Sequence, residues 1–414
     1  MQYLYNNLKY ALALIFSISV IVTFSQDIKK IYADPATAPG IKASKFIESI
    51  DFIPLETTKE SKYDNLSQLN ICKNNFVVFD NNTIYIFDKK GKFLYKFKNA
   101  SKKYIIKDVQ YVASKNALLI RSANKNFTIS ESKALQLIDR WKRKNISKYV
   151  LLQWLYLDHD FKTETIPTPS FALNNVIYFN GSFLLRNHIF NKYRKDTIQY
   201  RIVQYDSNYS QKHSYFPYLN IPDIFPYYYR YIIPVSSTLS DSTELIQLDF
   251  SNTIYTLHSD TIEEKYCFIM PMTNTIQPNY NSLSFRNNID FEKFKEKNSN
   301  ATAFFYSITE HGKYLFFSTC SLKYSNKNFL FYQNILYSLN NLTTDSSIYN
   351  LPPNLFTNIS QQDKDYIYTT ASASILVQQK KNLLAQNNIS RAFREYLSKL
   401  DENGNNIIIR IKLK

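Results

Sequence analysis

The sequence predicts an all-β protein assembled from several small sheets of similar make-up. Aromatic residues form 16% of the 414 residues, and aromatic and β-branched side chains suit the half-buried surfaces of a sheet. Only 5 glycines occur, and no two lie close together, which excludes a P-loop and a dinucleotide-binding fingerprint. Residues 76–97 hold three apolar runs separated by two polar breaks, a pattern that indicates an antiparallel meander.

The N-terminal residues are typical of a secretory signal. An apolar run at residues 11–24 follows Lys9 and precedes a polar stretch that begins at Ser25. The run is too short for a comfortable transmembrane helix and has the length of a signal-peptide core. We expect a signal peptide over residues 1–26 and export to the periplasm, the cell surface or the exterior, with an uncleaved signal anchor as the alternative.

A short connecting segment separates this signal from the globular part of the chain. Residues 27–45 indicate a linker, because Pro35 and Pro39 interrupt regular structure. A strand follows over residues 46–55. One globular domain is therefore expected over residues 46–414.

The meander at residues 76–97 shows how each sheet is built. Its breaks are Asp-Asn-Asn at residues 80–82 and Lys-Lys-Gly at residues 89–91, and Asn and Gly both suit tight hairpins because they tolerate positive φ. The middle run, residues 83–87, has large apolar side chains on both faces of a strand. A strand buried on both sides is expected where small sheets stack face to face, as propeller blades do.

The same pattern returns along the chain. Asn-Thr-Ile-Tyr occurs at residues 82–85 and again at 252–255, and looser versions stand at residues 175–178, 334–337 and 365–368. Such recurrence favours radial repetition. The chain divides into six such units, at residues 69–99, 104–169, 171–217, 229–271, 303–352 and 363–414. We therefore predict a six-bladed β-propeller.

A few helices and a closing strand complete the expected fold. Apolar residues at helical spacing predict short helices at residues 288–298 and 389–400, and residues 130–145 are either a helical insert or an irregular strand. An open sheet edge is a liability, so the ring must close. We expect residues 46–52 and 407–413 to join one blade.

Four motifs stand out along the chain, at residues 52–57 (Phe-Ile-Pro-Leu-Glu-Thr), 84–93, 252–257 and 407–414. They resemble motifs of a known family, the secreted, NHL-repeat-like six-bladed β-propeller proteins of certain Gram-negative bacteria. In chain order they are similar to the family's entry motif, its first-blade hairpin, a mid-chain blade and its closing strand. The resemblance implies the propeller fold and export, and it implies no settled activity.

The chain departs from that family at two places. The family usually carries a glycine- and proline-rich segment after the first blade, where residues 99–104 read Asn-Ala-Ser-Lys-Lys-Tyr. It usually has a proline just before the final strand, where this chain has Asn405 and Asn406. The resemblance therefore implies that any ligand site shaped by the glycine-rich segment is lost or altered here.

No residue pattern predicts catalysis or a cofactor. The five histidines form no HExxH motif, the sequence has no GxSxG motif, and the three cysteines (Cys72, Cys267 and Cys320) form no CxxC pair. The Asp158-His159-Asp160 triplet favours a solvated turn over a metal cluster. We predict no metal site and no cofactor, and whether the chain is an enzyme stays open.

Two aromatic and basic patches are the candidate binding residues. Tyr228 and Arg230 lie in a tyrosine-rich segment, and Arg186 and His188 follow an apolar strand. Flat aromatic rings with arginine could stack on sugar rings or grip carboxylates and phosphates. The alternative is that these tyrosines pack between blades and that Arg230 is solvated.

The leading functional hypothesis is an exported, non-catalytic propeller that recognises a carbohydrate, a peptide or an envelope component. One alternative is a metal-dependent hydrolase or lyase with its site at the channel mouth. Another is a basic anion-binding surface protein, which only the formal charge of +16 supports. We expect a monomer without specific nucleic-acid partners, and membrane association only through an uncleaved signal anchor.

Overall fold

The structure is a computed structural model. It describes residues 28–64, 66–99, 103–125, 149–158, 160–169, 176–186, 198–217, 235–237, 243–248, 251–275, 288–323, 325–343, 359, 361–386, 389 and 391–414. In these ranges no helix is long and apolar enough to cross a membrane.

Short strands form most of the described chain. The strands before residue 218 are β1 Lys29–Tyr32, β2 Ile47–Pro54, β3 Gln68–Ile71, β4 Asn75–Asp80, β5 Thr83–Asp88, β6 Phe93–Lys98, β7 Tyr104–Val112, β8 Ala117–Asn124, β9 Val150–Tyr156, β10 Thr163–Ile166, β11 Val176–Phe179, β12 Ser182–Arg186, β13 Tyr200–Tyr205 and β14 Gln211–Pro217. The later strands are β15 Val235–Ser237, β16 Glu244–Gln247, β17 Thr253–Leu257, β18 Ile262–Ile269, β19 Thr302–His311, β20 Tyr314–Ser321, β21 Asn326–Tyr332, β22 Ile335–Ser338, β23 Gln361–Gln362, β24 Ile367–Ala371 and β25 Ile407–Leu413.

The strands form six small sheets, in which consecutive strands pair antiparallel. Blade 1 is β3–β6, blade 2 is β7–β10 and blade 3 is β11–β14. Blade 4 is β15–β18 with β1 added parallel to β18, and blade 5 is β19–β22. Blade 6 is β23–β25 with β2 as its outermost strand. Each blade coincides with one of the six predicted units.

The six sheets form a closed ring. The first strands of neighbouring blades touch, since β3 contacts both β7 and β23, β7 contacts β11, and β19 contacts both β15 and β23. Six clusters of buried apolar side chains lie one at each junction between blades. The chain is a six-bladed β-propeller, as the sequence predicts.

Strand β5 shows why two-sided apolar strands build such a ring. Ile84 and Ile86 pack toward blade 2, whereas Tyr85 and Phe87 pack toward blade 6. All four side chains are buried. Burying each one stabilises the fold by roughly 1.5–3 kcal/mol, and a strand with only one apolar face could not fill both junctions.

The first and last strands of the ring share blade 6, which confirms the expected closure. β2 pairs antiparallel with β25, with Phe52 opposite Ile409 and Ile53 opposite Ile408. The isoleucines at positions 407, 408, 409 and 411 are fully buried. Pairing between Asp51 and Arg410, 359 positions apart in sequence, therefore joins the two ends of the domain.

A buried asparagine fastens the end of this closing pair. The Asn405 side chain donates to the carbonyl oxygens of Glu56 (2.9 Å) and Ser61 (3.0 Å) and accepts from the Tyr63 amide at 3.2 Å. Its own amide donates to Thr57 Oγ1 at 2.9 Å. All hydrogen-bonding groups of the carboxamide are used, which makes this buried polar residue stabilising.

The neighbouring residue explains one departure from the family pattern. The Asn406 amide donates to the Tyr63 hydroxyl at 3.1 Å. A proline at this position would lack that amide hydrogen. Hydrogen bonds donated by Asn405 and Asn406 therefore fix the backbone just before β25, where the family usually has a proline.

Residues 28–45, which the sequence indicates to be a linker, lie along the outer edges of blades 4 and 5. β1 is the outermost strand of blade 4. Farther on, the Pro39 carbonyl accepts from the Ser338 amide at 2.8 Å, and Ile41 accepts from Thr343 at 3.0 Å. A Cβ atom at Gly40 would overlap the Asn341 carbonyl, so glycine permits this close approach.

Three α-helices occur in the described residues: α1 Asn288–Lys297, α2 Ala373–Leu384 and α3 Arg391–Lys399. The first and third confirm the predicted helices. The sequence reading missed α2, although Ser372 caps it by accepting the Ile375 amide at 3.3 Å. Leu376 and Leu383 on α2 are fully buried. The predicted insert at residues 130–145 lies outside the described residues.

Gly91 offers a test of the contact between blade 6 and blade 1. It lies at φ +85°, and a Cβ there would overlap the Pro54 carbonyl oxygen. We expect Gly91→Ala to lower the free energy of unfolding by about 3 kcal/mol, because left-handed strain and overpacking add. Equilibrium denaturation measures this.

The matched control is Gly181→Ala. Gly181 lies at φ +77° with nothing near its absent Cβ, so only the left-handed strain of about 1 kcal/mol applies. Equal losses in the two variants would contradict a tight contact between Gly91 and Pro54.

Candidate functional site

Blades 1 and 2 leave a groove of about 570 Å³ between their outer strands. We call it the blade 1–2 groove. β6 runs along one wall, and β9 and β10 contribute the other. Its aromatic, amide and hydroxyl side chains are Tyr95, Asn99, Tyr104, Gln153, Phe161 and Thr163. A volume of this size falls within the range of small-molecule sites.

Two stacked aromatic rings form the floor of this groove. Tyr95 and Phe161 lie with ring centroids 4.6 Å apart and planes 8° apart. Both rings are half-buried. Phe161 has a φ of 55° and Asp160 a φ of 48°, a left-handed backbone that is uncommon for bulky residues. The turn between β9 and β10 therefore holds Phe161 in place at a conformational cost of about 1–3 kcal/mol.

An amide oxygen in the groove has no hydrogen-bond partner among the described residues. Gln153 Oε1 is buried and unsatisfied, while Gln153 Nε2 donates to Thr165 Oγ1 at 3.4 Å. At the other end of the groove, Asn99 Nδ2 donates to Ser122 Oγ at 2.9 Å. An unsatisfied buried acceptor costs about 1–3 kcal/mol, and a ligand hydroxyl or amide would satisfy it.

The charged residues among the described lining of the groove are two lysines, Lys96 and Lys98, and that lining includes no carboxylate. The Lys96 ammonium points away, since it donates to the Glu60 carbonyl at 3.0 Å and lies 4.8 Å from the Tyr85 ring centroid. Burial, together with the nearby charge of Lys98, lowers the pKa of Lys96. The groove therefore suits a ligand with hydroxyl groups and an apolar face more than an ion.

The groove lies where the sequence departs from the family pattern. Asn99 and Tyr104, the two ends of the segment that lacks the family's glycines, both line it. Residues 100–102 between them lie outside the described residues. The departure noted in the sequence thus falls at the rim of a cavity.

A second cavity, of about 580 Å³, lies at the junction between blades 6 and 1. We call it the closure cavity, because the entry segment after β2, the β5–β6 hairpin and the end of α3 all border it. Four exposed lysines line it: Lys62, Lys90, Lys92 and Lys399. Burial raises the pKa of Tyr396, which also lines it, to about 12, so its hydroxyl stays protonated.

The two carboxylates of the closure cavity are engaged by the protein itself. Glu56 Oε2 accepts from the Phe93 amide at 2.8 Å. Asp401 Oδ1 accepts from the Asn403 amide at 2.8 Å and from its side chain at 3.1 Å, and these bonds lower the pKa of Asp401. The four lysines form no ion pair within the described residues. The cavity therefore has a net positive rim.

Of the predicted binding residues, the structure describes Arg186. Arg186 is the last residue of β12. Burial lowers its pKa, and the positive charge of Arg121 lowers it further, whereas the negative charges of Asp108 and Glu244 raise it. Arg121 Nη2 lies 2.5 Å from Asp108 Oδ2. Arg186 therefore belongs to a charge-balanced cluster of residues from blades 2, 3 and 4. It is not among the lining residues of either cavity, and its role in binding stays a prediction.

The other three predicted residues, Tyr228, Arg230 and His188, lie outside the described residues. Within the described ranges no group of three or more His, Cys, Asp or Glu side chains is placed to hold a metal ion. All three cysteines are free thiols.

Comparisons with known proteins agree with the fold. Residues 25–102 match a family described as a 6-bladed beta-propeller. The resemblance to bacterial six-bladed propellers is thereby confirmed. A crystal structure of a candidate exported protein from Bacteroides fragilis aligns with a TM-score of 0.60 and 14% identity, over 93% of this chain and 99% of that chain. This similarity shows the fold alone.

Two further structures align less well. PorZ, a surface component of the type-IX secretion system of Porphyromonas gingivalis, has a TM-score of 0.32 and 8% identity over 70% of this chain and 29% of that chain. An oligogalacturonate lyase in complex with manganese has a TM-score of 0.36 and 8% identity over 84% of this chain and 76% of that chain. These alignments carry no argument about function. The sequence matches no curated protein.

Sequence reasoning missed both cavities for one reason. Tyr95 and Phe161 belong to different blades, as do Lys90 and Lys399, so their convergence depends on the ring and not on spacing in the chain. The one available signal is the segment at residues 99–104.

Proposed function

We propose that the chain is an exported binding protein that recognises a neutral carbohydrate in the blade 1–2 groove. The observation that carries the proposal is the strained Phe161, stacked on Tyr95 beside the unsatisfied Gln153 oxygen. Strained backbone persists where the surrounding structure maintains it, and such residues cluster at ligand sites.

The chemistry of the groove matches a sugar ring. A sugar has an apolar C–H face, which an aromatic ring can cover, and an edge of hydroxyls, which amides and hydroxyls can bind. Half-buried tyrosines combine an apolar ring with a polar tip. The outward direction of Lys96 favours a neutral sugar over an anionic one.

Export is part of the same proposal. The apolar run at residues 11–24 is typical of a signal peptide, and the structurally similar Bacteroides fragilis protein is itself a candidate for export. Carbohydrates are abundant outside the cytoplasm. We infer a binding role at the periplasm, the cell surface or the exterior, carried out by a monomer.

A matched pair of variants tests the carbohydrate assignment. We expect a neutral oligosaccharide from an array of α- and β-linked glycans to bind. Phe161→Gly should raise the Kd for that oligosaccharide at least tenfold, as measured by calorimetry. The control is Phe216→Gly, since Phe216 also has a left-handed φ (58°) and packs on a tyrosine of the next blade, Tyr255.

Both changes remove one ring contact and relieve one left-handed residue, so they should alter the free energy of unfolding to a similar extent. If no neutral glycan binds, or if both variants bind the glycan equally, the carbohydrate assignment is wrong. Binding of a peptide library alone would assign the groove to a peptide.

A second candidate function, anion binding, is favoured by the closure cavity. Four lysines surround it, and its two carboxylates already accept hydrogen bonds from the chain. The helix dipole gives the C-terminal end of α3 a partial negative charge, which disfavours anions. Lys399 in the last turn of α3 offsets that negative charge. A compact, multiply charged anion would bridge blade 6 and blade 1.

Pyrophosphate is a suitable probe for this second candidate. We expect it to bind in 0.15 M salt, and Lys62→Gln/Lys399→Gln to weaken binding about tenfold, because each lost charge removes one contact. The control is Lys293→Gln/Lys297→Gln on α1, which also removes two positive charges but from residues outside the cavity. An equal loss in the control would indicate attraction to overall charge instead of a site.

A further inference from the structure

The outer edge of blade 4 carries a concentration of exposed apolar side chains. In the described part of the chain, eight large apolar side chains are exposed, and four of them lie here: Ile28, Tyr32, Ile269 and Met272. We call these four the β1 patch. Tyr32 is 73% exposed and Met272 91% exposed. Scattered single apolar residues need no explanation, but a contiguous group marks an interaction surface.

Strand geometry brings the patch together. β1 pairs in parallel with β18, with Tyr32 beside Ile269 and Lys30 beside Cys267. Ile31 is fully buried against the junction with blade 5. Because side chains alternate along a strand, residues 28, 30 and 32 share the opposite, exposed face. Met272 follows β18 by three residues, so it extends the same edge.

Basic residues accompany the apolar ones. Lys30 is exposed on the same face as Tyr32. Lys29 is exposed as well, with its ammonium 5.2 Å from the Phe331 ring centroid. The chain as a whole has a formal charge of +16. Tyrosine and lysine beside exposed aliphatic side chains are the residues that favour a membrane–water interface.

The sequence places an apolar run close to this edge. The apolar run at residues 11–24 ends only five positions before Lys29, the first residue of β1. Five extended residues span at most roughly 18 Å. A bilayer that holds residues 11–24 would therefore lie within roughly 18 Å of β1 along the chain.

We propose that the β1 patch docks on an anionic lipid bilayer and orients the propeller with the outer edge of blade 4 toward the membrane. The proposal is independent of the carbohydrate assignment, since the blade 1–2 groove lies at another junction of the ring. It also does not require the apolar run to remain attached, because the patch itself supplies the contact.

Vesicle flotation tests this proposal with two forms of the protein, the full chain and a chain that begins at Asp27. All six blades lie after residue 27, so the shorter chain retains the complete ring. We expect the shorter chain to float with vesicles of phosphatidylglycerol and phosphatidylcholine and at least tenfold less with phosphatidylcholine alone. Tyr32→Ser/Met272→Ser should reduce flotation at least tenfold.

The matched control is Leu94→Ser/Ile335→Ser, which removes two apolar side chains of 43% and 46% exposure from other blades. This control should float as the unmodified chain does. The proposal is overturned if the shorter chain does not float, or if both double variants lose flotation equally. Size-exclusion chromatography showing a patch-dependent dimer without lipid would assign the patch to a second copy and also overturn it.

A cysteine probe gives an independent readout. Cys267 is half-buried beside Lys30, whereas Cys72 and Cys320 are buried, and burial raises the pKa of both buried thiols. A maleimide fluorophore should therefore label Cys267. Its emission should shift to the blue on anionic vesicles, and a label at Ile335→Cys in a Cys267→Ser background should not shift. Equal shifts at both positions would contradict the proposed orientation.

Discussion

The structure depends on the pairing of β2 with β25. Bringing strands about 360 positions apart together costs about 5 kcal/mol of loop-closure entropy. The four fully buried isoleucines of β25, at positions 407, 408, 409 and 411, each contribute roughly 1.5–3 kcal/mol by burial. Burial thus exceeds the closure cost, whereas the exposed pair of Asp51 and Arg410 contributes about 0–1 kcal/mol. Closure is therefore driven by apolar burial on both faces of the last strand, and charge mainly reinforces its register.

The closing pair also determines where blade 1 sits. Directly after β2, the Glu56 amide donates to the Gly91 carbonyl at 2.8 Å, and the Glu56 carboxylate accepts from Phe93. The two motifs that first suggest the family, at residues 52–57 and 84–93, therefore contact one another in space. The two motifs form a docking contact between the last and first blades, and this contact explains why they indicate the fold.

Patterns that depend on neighbours in the chain predicted most of the fold. The recurrence of apolar strands after polar turns predicted six blades, and the liability of an open sheet edge predicted the closing pair. The recurrent tetrapeptide does not mark the same strand in every blade. Residues 83–85 belong to the third strand of blade 1, whereas residues 335–337 belong to the fourth strand of blade 5. The tetrapeptide marks entry from a turn into a strand and not an equivalent place in each blade. The cavities could not be predicted, since Tyr95 meets Phe161 only after two blades have packed.

Both cavities flank the same blade, and this follows from how the ring is built. The inner strands of neighbouring blades touch, while twist makes their outer strands diverge and leaves a wedge at each junction. On one side of blade 1 the wedge is the closure cavity, which the segment after β2 borders. On the other side it is the blade 1–2 groove, which the strained turn at Phe161 borders. β4 of this blade is buried at every position, so both wedges border a rigid support, which is what precise binding requires. Blade 1 therefore borders both the closing contact of the ring and the groove that we propose as a binding site.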